Sequence, residues 1–394
     1  MEARPQISFE DTATAFSYKS DADLKKANFI FSLVNHPWVS AAATSFTRFA
    51  LNLHLPIEGI IKKTAFDHFC GGESIRESTP AINTLWKFHV GTILDYSVEG
   101  EKSESGFDAT MEETIRTIDK AASQQGIPFS VFKVTGLADA RLLEKKQSGA
   151  SFDPEEQAAW ERVRSRVRKI CQYGFERNIP VLIDAEETWL QIPIDEMAEE
   201  MMALFNKDRA IIFNTYQLYR VDSLQNLKDA TARARQQGYH LGAKLVRGAY
   251  MEKERDRAMK MGYSNPIQPD KSSSDKAFND ALVFCIENID KVSFMCGSHN
   301  EESNLLLTTL MAGKGIASSD QRVWFAQLYG MSDNISFNLA RAGYNVAKYV
   351  PYGPVRSVMP YLFRRAAENT SVAGQSSREL TLIRKELRRR RQSR

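Results

Sequence analysis

Eight short runs of apolar and β-branched residues, separated by stretches with helical spacing, constrain this chain more than any other feature. The runs are Val90 to Asp95, Phe129 to Val134, Pro180 to Asp184, Ala210 to Asn214, Leu241 to Val246, Val292 to Cys296, Val323 to Ala326 and Asn345 to Lys348. Between them, Thr110 to Gln125, Pro154 to Asn178, Ile194 to Asn206, Ser223 to Gln237, Glu301 to Ala312 and Asn334 to Ala342 carry apolar residues at helical intervals. Strands that alternate with helices pair in parallel, because the helix supplies the crossover. Eight such units in about 280 residues suit a closed (β/α)8 barrel. An open, doubly wound sheet is the competing arrangement, but no GxGxxG turn follows any of the runs.

Residues 1–85 read as an N-terminal helical region, with a helix start at Asp21-Ala22-Asp23, helical spacing from Ala41 to Leu55, and breaks at Gly71-Gly72 and Pro80. Residues 86–373 form the barrel and 374–394 a basic tail. The net charge of +3 is uneven: the tail holds eight Arg or Lys against two Glu, a net +6, so the rest is mildly acidic at −3. Leu380, Ile383 and Leu387 make an apolar stripe beside Arg384, Lys385 and Arg388 to Arg391, the pattern of a helix that lies on anionic lipid or of a solvated end. No apolar run is long enough to span a bilayer, and Glu2, Glu10 and Asp11 sit where a signal or transit peptide would not have them. The expectation is a cytoplasmic protein, peripheral on the inner face of the cytoplasmic membrane. Cys70, Cys171, Cys285 and Cys296 lack CxxC spacing, and six His without HxH or HExxH give no reason to expect a metal.

A barrel of this type gathers its chemistry where strands end and loops begin. Seven of the eight runs end in polar or aromatic groups: Lys133; Asp184; Tyr216 and Gln217; Lys244 to Tyr250; Ser298, His299 and Asn300; Gln327 and Leu328; and Tyr349. Asp184 closes an apolar run, as a helix cap does or as a carboxylate that orders a neighbour's protons. Lys133 and Lys244 suit a charge partner, a Schiff-base nucleophile or a surface strand end. Arg247 could meet a phosphate, and Gly248 would let backbone approach a ligand. His299 reads first as a hydrogen-bonded loop histidine. In the last helix Tyr361, Arg364, Arg365 and Glu368 share one stripe, which is either a solvated face with an internal ion pair or a clamp for a small carboxylate.

Read together, these pieces resemble the proline dehydrogenase family, flavoenzymes built on a distorted (β/α)8 barrel. The resemblance runs from about Lys133 to Asn369, and its most specific piece is Tyr361-Leu362-Phe363-Arg364-Arg365-Ala366-Ala367-Glu368-Asn369, the YxxRRxxEN signature. Ile183-Asp184-Ala185-Glu186, Lys244 to Tyr250, Ser298-His299-Asn300 and Leu328-Tyr329-Gly330-Met331 match in order, and Ala342 to Tyr361 looks closer to monofunctional enzymes of the mitochondrial kind than to long bacterial bifunctional ones.

The resemblance implies oxidation of L-proline to Δ1-pyrroline-5-carboxylate, with hydride passing from proline C5 to N5 of FAD and electrons going on to membrane quinone. It puts Arg364, Arg365 and Lys133 on the substrate carboxylate, Tyr361 and Tyr349 against the ring, and Leu328 at its border. Tyr349 implies proline, since hydroxyproline-preferring relatives tend to be smaller there. Asp184 and Tyr250 would pair beside the flavin. Lys244 would lie near N5, where many bacterial relatives have arginine. Gln217, Arg247, Gly248, Ala249, Ser298, His299 and Glu368 would hold FAD. With no aldehyde dehydrogenase portion in the sequence, a separate pyrroline-5-carboxylate dehydrogenase is expected to follow. Two other classes fit less of the chain: a Schiff-base aldolase using Lys133 or Lys244, and a nucleic-acid binder using the tail, which the acidic body opposes.

Overall fold

The structure is a computed structural model that describes residues 7–34, 58–98, 102–371 and 375–393. The stretch Ala41 to Leu55, expected to be helical, lies outside the described residues. Eight strands, β1 (Val90–Tyr96), β2 (Phe129–Phe132), β3 (Val181–Ile183), β4 (Ile212–Gln217), β5 (Leu241–Val246), β6 (Val292–Gly297), β7 (Val323–Leu328) and β8 (Val346–Tyr352), form a closed barrel in sequence order. The α/β barrel expected from the alternation is therefore the fold. By contacts the chain divides into two compact units, one of residues 93–96 and 100–326, the other of 1–92, 97–99 and 327–394.

In the first unit every strand pairing is parallel, with Ile93 opposite Phe129, Val131 opposite Leu182, Leu182 opposite Phe213, Thr215 opposite Lys244, Lys244 opposite Met295, and Met295 opposite Trp324. The rings of Phe129, Phe213 and Trp324, from β2, β4 and β7, meet edge to face at 5.2 and 5.5 Å. Such T-shaped contacts suit the quadrupoles of the rings and pack the barrel's interior. The longest helix, Pro154–Glu176, begins with an Asp153–Glu156 capping box and proline in the first turn, which satisfies amide donors that the first turn cannot.

In the second unit an apolar core joins distant stretches of sequence: Phe16, Leu24 and Phe31 near the start, Phe66 and Phe69, Val358 and Leu362, and Leu380 and Ile383 near the end. Helix Asp21–Val34 starts where the acidic signal put it. Ser20 and Asp23 cap it reciprocally, with the Ser20 amide donating to Asp23 at 3.0 Å and the Asp23 amide to Ser20 Oγ at 3.2 Å.

Four local expectations needed correction. β4 starts and ends later than its apolar run, because Thr215, Tyr216 and Gln217 continue the strand with buried polar side chains. β8 likewise continues from Lys348 through Pro351 to Tyr352. Helix Ile75–Trp86 runs through Pro80 instead of breaking there, with Ser74 accepting the Glu77 amide proton at its start. Two helices between β5 and β6, Met251–Met261 and Lys271–Glu287, had not been foreseen; the first buries only Glu254 and Ala258, too few to write a stripe in the sequence.

The tail departs from its expected surroundings. Helix Gln375–Gln392 is present, but Leu380 and Ile383 are buried in the core of the second unit and Leu387 packs against it. The stripe read as a lipid-facing surface is covered by protein.

Candidate functional site

Within the first unit, consecutive strand ends deliver charged groups to a common place. β1 ends with Asp95, β2 is followed by Lys133, β3 by Asp184, and β5 carries Lys244. All are buried or nearly so, and no group in this set is left to pair with water alone. Asp184 accepts from Lys133 Nζ at 2.6 Å through one oxygen and from Lys244 through the other, while Asp95 lies 3.8 Å from the Lys133 ammonium. Burial alone would raise the Asp184 carboxyl, but the two ammoniums outweigh it and hold the group down at about 2. Lys133 resists burial because Asp184 and Asp95 surround it, so its ammonium is stabilised well above the usual lysine range. Lys244 shares Asp184 with that second cation, and burial pulls it down. The result is a fixed, desolvated charge pattern with Asp184 ionised at any working pH.

Around this cluster the neighbouring strand ends are locked to one another. Glu186 accepts the Thr135 amide at 2.9 Å and the Thr135 hydroxyl, and its carbonyl accepts Gln217 Nε2 at 2.7 Å. Burial pushes the Glu186 carboxyl up to about 7. Arg247 stacks 4.4 Å over the Phe278 ring and donates to Asp275 at 2.7 Å, Ser298 Oγ at 2.7 Å and Ser303 Oγ at 2.9 Å. These use three of the five N–H donors of its fork, which aims the guanidinium and leaves donors for a ligand. Gly248 has φ +136, and a Cβ there would meet the Tyr219 ring at 2.5 Å, so that ring by itself requires glycine. Tyr250 is half-buried at the start of helix Met251–Met261 and its phenol acts on Lys133 electrostatically; Ala249 is exposed and His299 half-buried.

The second unit holds the remaining candidates. Tyr349 is buried in β8, and its carbonyl accepts the Tyr329 amide at 2.8 Å; Leu328, at the end of β7, packs half-buried against the apolar core. On helix Val355–Ser371, Tyr361 and Arg365 are buried, with the guanidinium 5.2 Å over the phenol ring, and Arg364 is half-buried. A cation over an aromatic face is held flat by the ring's quadrupole, which orients the fork for a planar anion. Helix Val355–Ser371 also carries Glu368, whose side chain lies outside the described part of the structure.

Sequence reasoning missed Asp95 and Thr135 in the first unit, where it found Glu186 only as part of a motif and gave it no role, and Asp333, Lys348 and Glu379 in the second. Asp95 obeys the same strand-end rule that found Asp184; the others are legible only once distant segments meet. Among the described residues no group of three or more His, Cys, Asp and Glu side chains is gathered as a metal ion would require. The donor set instead fits a large anionic cofactor: an aimed arginine, Ser298, and amides at the start of helix Glu301–Gly313. A flavin is such a group, with acceptors around its ring and a phosphorylated tail.

A parallel eight-stranded barrel with a buried cluster of two lysines and two aspartates at its strand ends defines a (β/α)8 enzyme. Residues 78–378 match the family Pro_dh, proline dehydrogenase. Mitochondrial proline dehydrogenase 1 of Dictyostelium discoideum is 33% identical over 96% of this chain and 74% of its own length. A hydroxyproline dehydrogenase of Xenopus laevis is 31% identical over 99% of this chain and 91% of its own. Among solved structures, proline utilization A from Bdellovibrio bacteriovorus superposes with a TM-score of 0.72 at 22% identity, over 94% of this chain and 40% of that one. The chain belongs to the proline dehydrogenase family.

Proposed function

We propose that this protein oxidises L-proline to Δ1-pyrroline-5-carboxylate with FAD as its cofactor. When bound, the flavin supplies the hydride acceptor. The protein's own part is geometry and field. Arg364, Arg365 and Lys133 anchor the substrate carboxylate; Tyr361, Tyr349 and Leu328 orient the ring so that its C5–H bond points at the acceptor. Developing positive charge on the ring nitrogen is tolerated because the carboxylate remains paired and Asp184 stays ionised. Lys244, Tyr250 and Asp184 border the cofactor ring, and Gln217, Arg247, Gly248, Ala249, Ser298, His299 and Glu368 hold its ring, ribityl and phosphate portions. Electrons pass to a membrane quinone, and a separate pyrroline-5-carboxylate dehydrogenase takes the product on toward glutamate.

The observation that carries this reading is the buried Lys133–Asp184–Lys244 cluster, which with Asp95 beside it gives a fixed, preorganised charge pattern without a metal or an unpaired lysine. An aldolase needs a neutral, accessible amine, whereas Lys244 is buried and held by a carboxylate. On this reading Tyr349 favours proline over hydroxyproline, as the resemblance implies from the smaller residue that hydroxyproline-preferring relatives tend to carry there.

The test is optical. Purified protein is expected to be yellow and to bleach without oxygen on adding L-proline, and to bleach less readily with trans-4-hydroxyproline. A colourless protein inactivated by borohydride plus substrate would favour the aldolase instead, and preference for hydroxyproline would overturn the role given to Tyr349.

A further inference from the structure

The loop between β7 and helix Asp333–Arg341 follows an unfavourable path. Gly330 has φ +77, and a Cβ there would lie 2.3 Å from the His68 carbonyl oxygen. Two residues on, Ser332 is left-handed at φ +50 and ψ 42, a conformation few non-glycine residues adopt. Such a path persists only where the surroundings over-determine it.

Three segments of the second unit fasten this loop by its backbone. Lys348, fully buried in β8, donates to the Met331 carbonyl and lies 3.5 Å from that of Leu328. Glu379 of helix Gln375–Gln392 accepts the Ser332 amide. His68 lies with Nε2 3.1 Å from the Gly330 carbonyl; burial holds the ring neutral, down at about 3, so Nε2 carries the proton and donates. The Tyr329 amide donates to the Tyr349 carbonyl at 2.8 Å.

The lysine among these anchors is itself secured. A buried ammonium needs a counter-charge, and Asp333 provides it at 2.8 Å while its second oxygen accepts from Lys19 at 2.7 Å and from the Tyr18 hydroxyl at 2.8 Å. Burial would raise Asp333, but the ammoniums of Lys19 and Lys348 override it and hold the carboxyl far below the usual range. Asp333 is therefore ionised at every pH at which the protein works, while burial pulls the Lys348 ammonium below the usual lysine range and its contact with Asp333 opposes that pull.

We propose that Lys348 and Asp333 are positioning residues for the substrate: they fasten residues 328–332 and thereby set the place of Leu328 and Tyr349. The inference rests on the functional reading above, which assigns those two side chains to the proline ring. Neither Lys348 nor Asp333 is assigned a contact with substrate or cofactor.

The experiment compares flavin-loaded wild type with Lys348→Met and Glu379→Ala, by amide hydrogen exchange across residues 328–332 and by steady-state proline oxidation with a dye acceptor. In Lys348→Met, exchange in that segment is expected to speed by about tenfold, reflecting local opening. The KM for proline is expected to rise about fivefold with kcat and bound flavin nearly unchanged, the signature of lost substrate placement rather than lost chemistry. If Lys348→Met does not fold, Glu379→Ala removes the Ser332 anchor alone and carries the same expectation at about half the size in each readout. Unchanged exchange, or faster exchange with unchanged KM, overturns the proposal. A wild type that does not oxidise proline refutes the functional reading alone, and exchange then still decides whether these residues fasten the loop.

Discussion

A carboxylate between two buried ammoniums is stabilised only while ionised, which gives Asp184 a defined signature in acid. Its folded value is lowered to about 2 from an ordinary 3.8, so its contribution is complete above pH 4 and disappears as pH falls toward 2. A shift of that size corresponds to about 2 kcal/mol. Urea unfolding of wild type and Asp184→Asn at pH 5 and pH 3 should show a wild-type loss larger by about half that amount, about 1 kcal/mol; equal losses would place the pairing elsewhere. The arginines separate by exposure. Arg364→Ala, at a half-buried position, is expected to raise the proline KM at least about tenfold with little change in stability. Arg365→Ala should raise KM by at least about thirtyfold, a cost of about 2 kcal/mol or more in substrate binding, and should also lower the melting temperature because its stacking on Tyr361 is lost. Near-normal KM in both variants would remove the carboxylate clamp.

Elements were legible where local pattern suffices, and misread where the neighbour decides. The eight strands could be found because each is a short apolar run bounded by helical spacing. Their ends could not, since Thr215 to Gln217 and Tyr349 to Tyr352 continue strands with residues that a sequence reader takes for loop. Strand-end polarity exposed Asp184, Lys133 and Lys244 because barrel geometry forces such groups together, whereas Glu186 and Thr135 meet only after β2 and β3 pair. The last helix is the clearest case. Periodicity marks which face of Gln375–Gln392 is apolar but not whether protein or lipid covers it, and here the core does. Ile383→Ala should therefore cost about 2 to 5 kcal/mol by creating a cavity, while Arg388→Ala, on the exposed face, should stay within about 0.5 kcal/mol. Chemical unfolding measures both, and equal effects would contradict the packing.

At the scale of the whole chain, the first and last segments depend on each other: Thr12 donates to Glu386 at 3.0 Å, and Arg390 reaches Asp21 at 2.9 Å and the carbonyls of Phe16 and Lys19. Separations of more than 350 residues leave no trace in any local window, which is why the tail was read as independent. Removing residues 374–394 would strip a core and cannot isolate a surface role. The basic residues sort differently. Arg378 and Lys385 pair with Glu10, and Arg389 and Arg390 pair with Glu386, whereas Arg384, Arg388 and Arg391 line an exposed face at helical spacing. Any attraction to an anionic membrane would thus be electrostatic, with no apolar insertion from Leu380 or Ile383, and would weaken with salt. Near a charged bilayer each arginine contributes about 1 kcal/mol, so Arg384→Gln, Arg388→Gln and Arg391→Gln together should reduce binding to phosphatidylserine vesicles by about a hundredfold. Dye-linked proline turnover should be unchanged, because none of the three lies among the residues assigned to substrate or flavin. Vesicle binding that survives the triple change, or that is indifferent to salt, would show that this helix does not carry the contact.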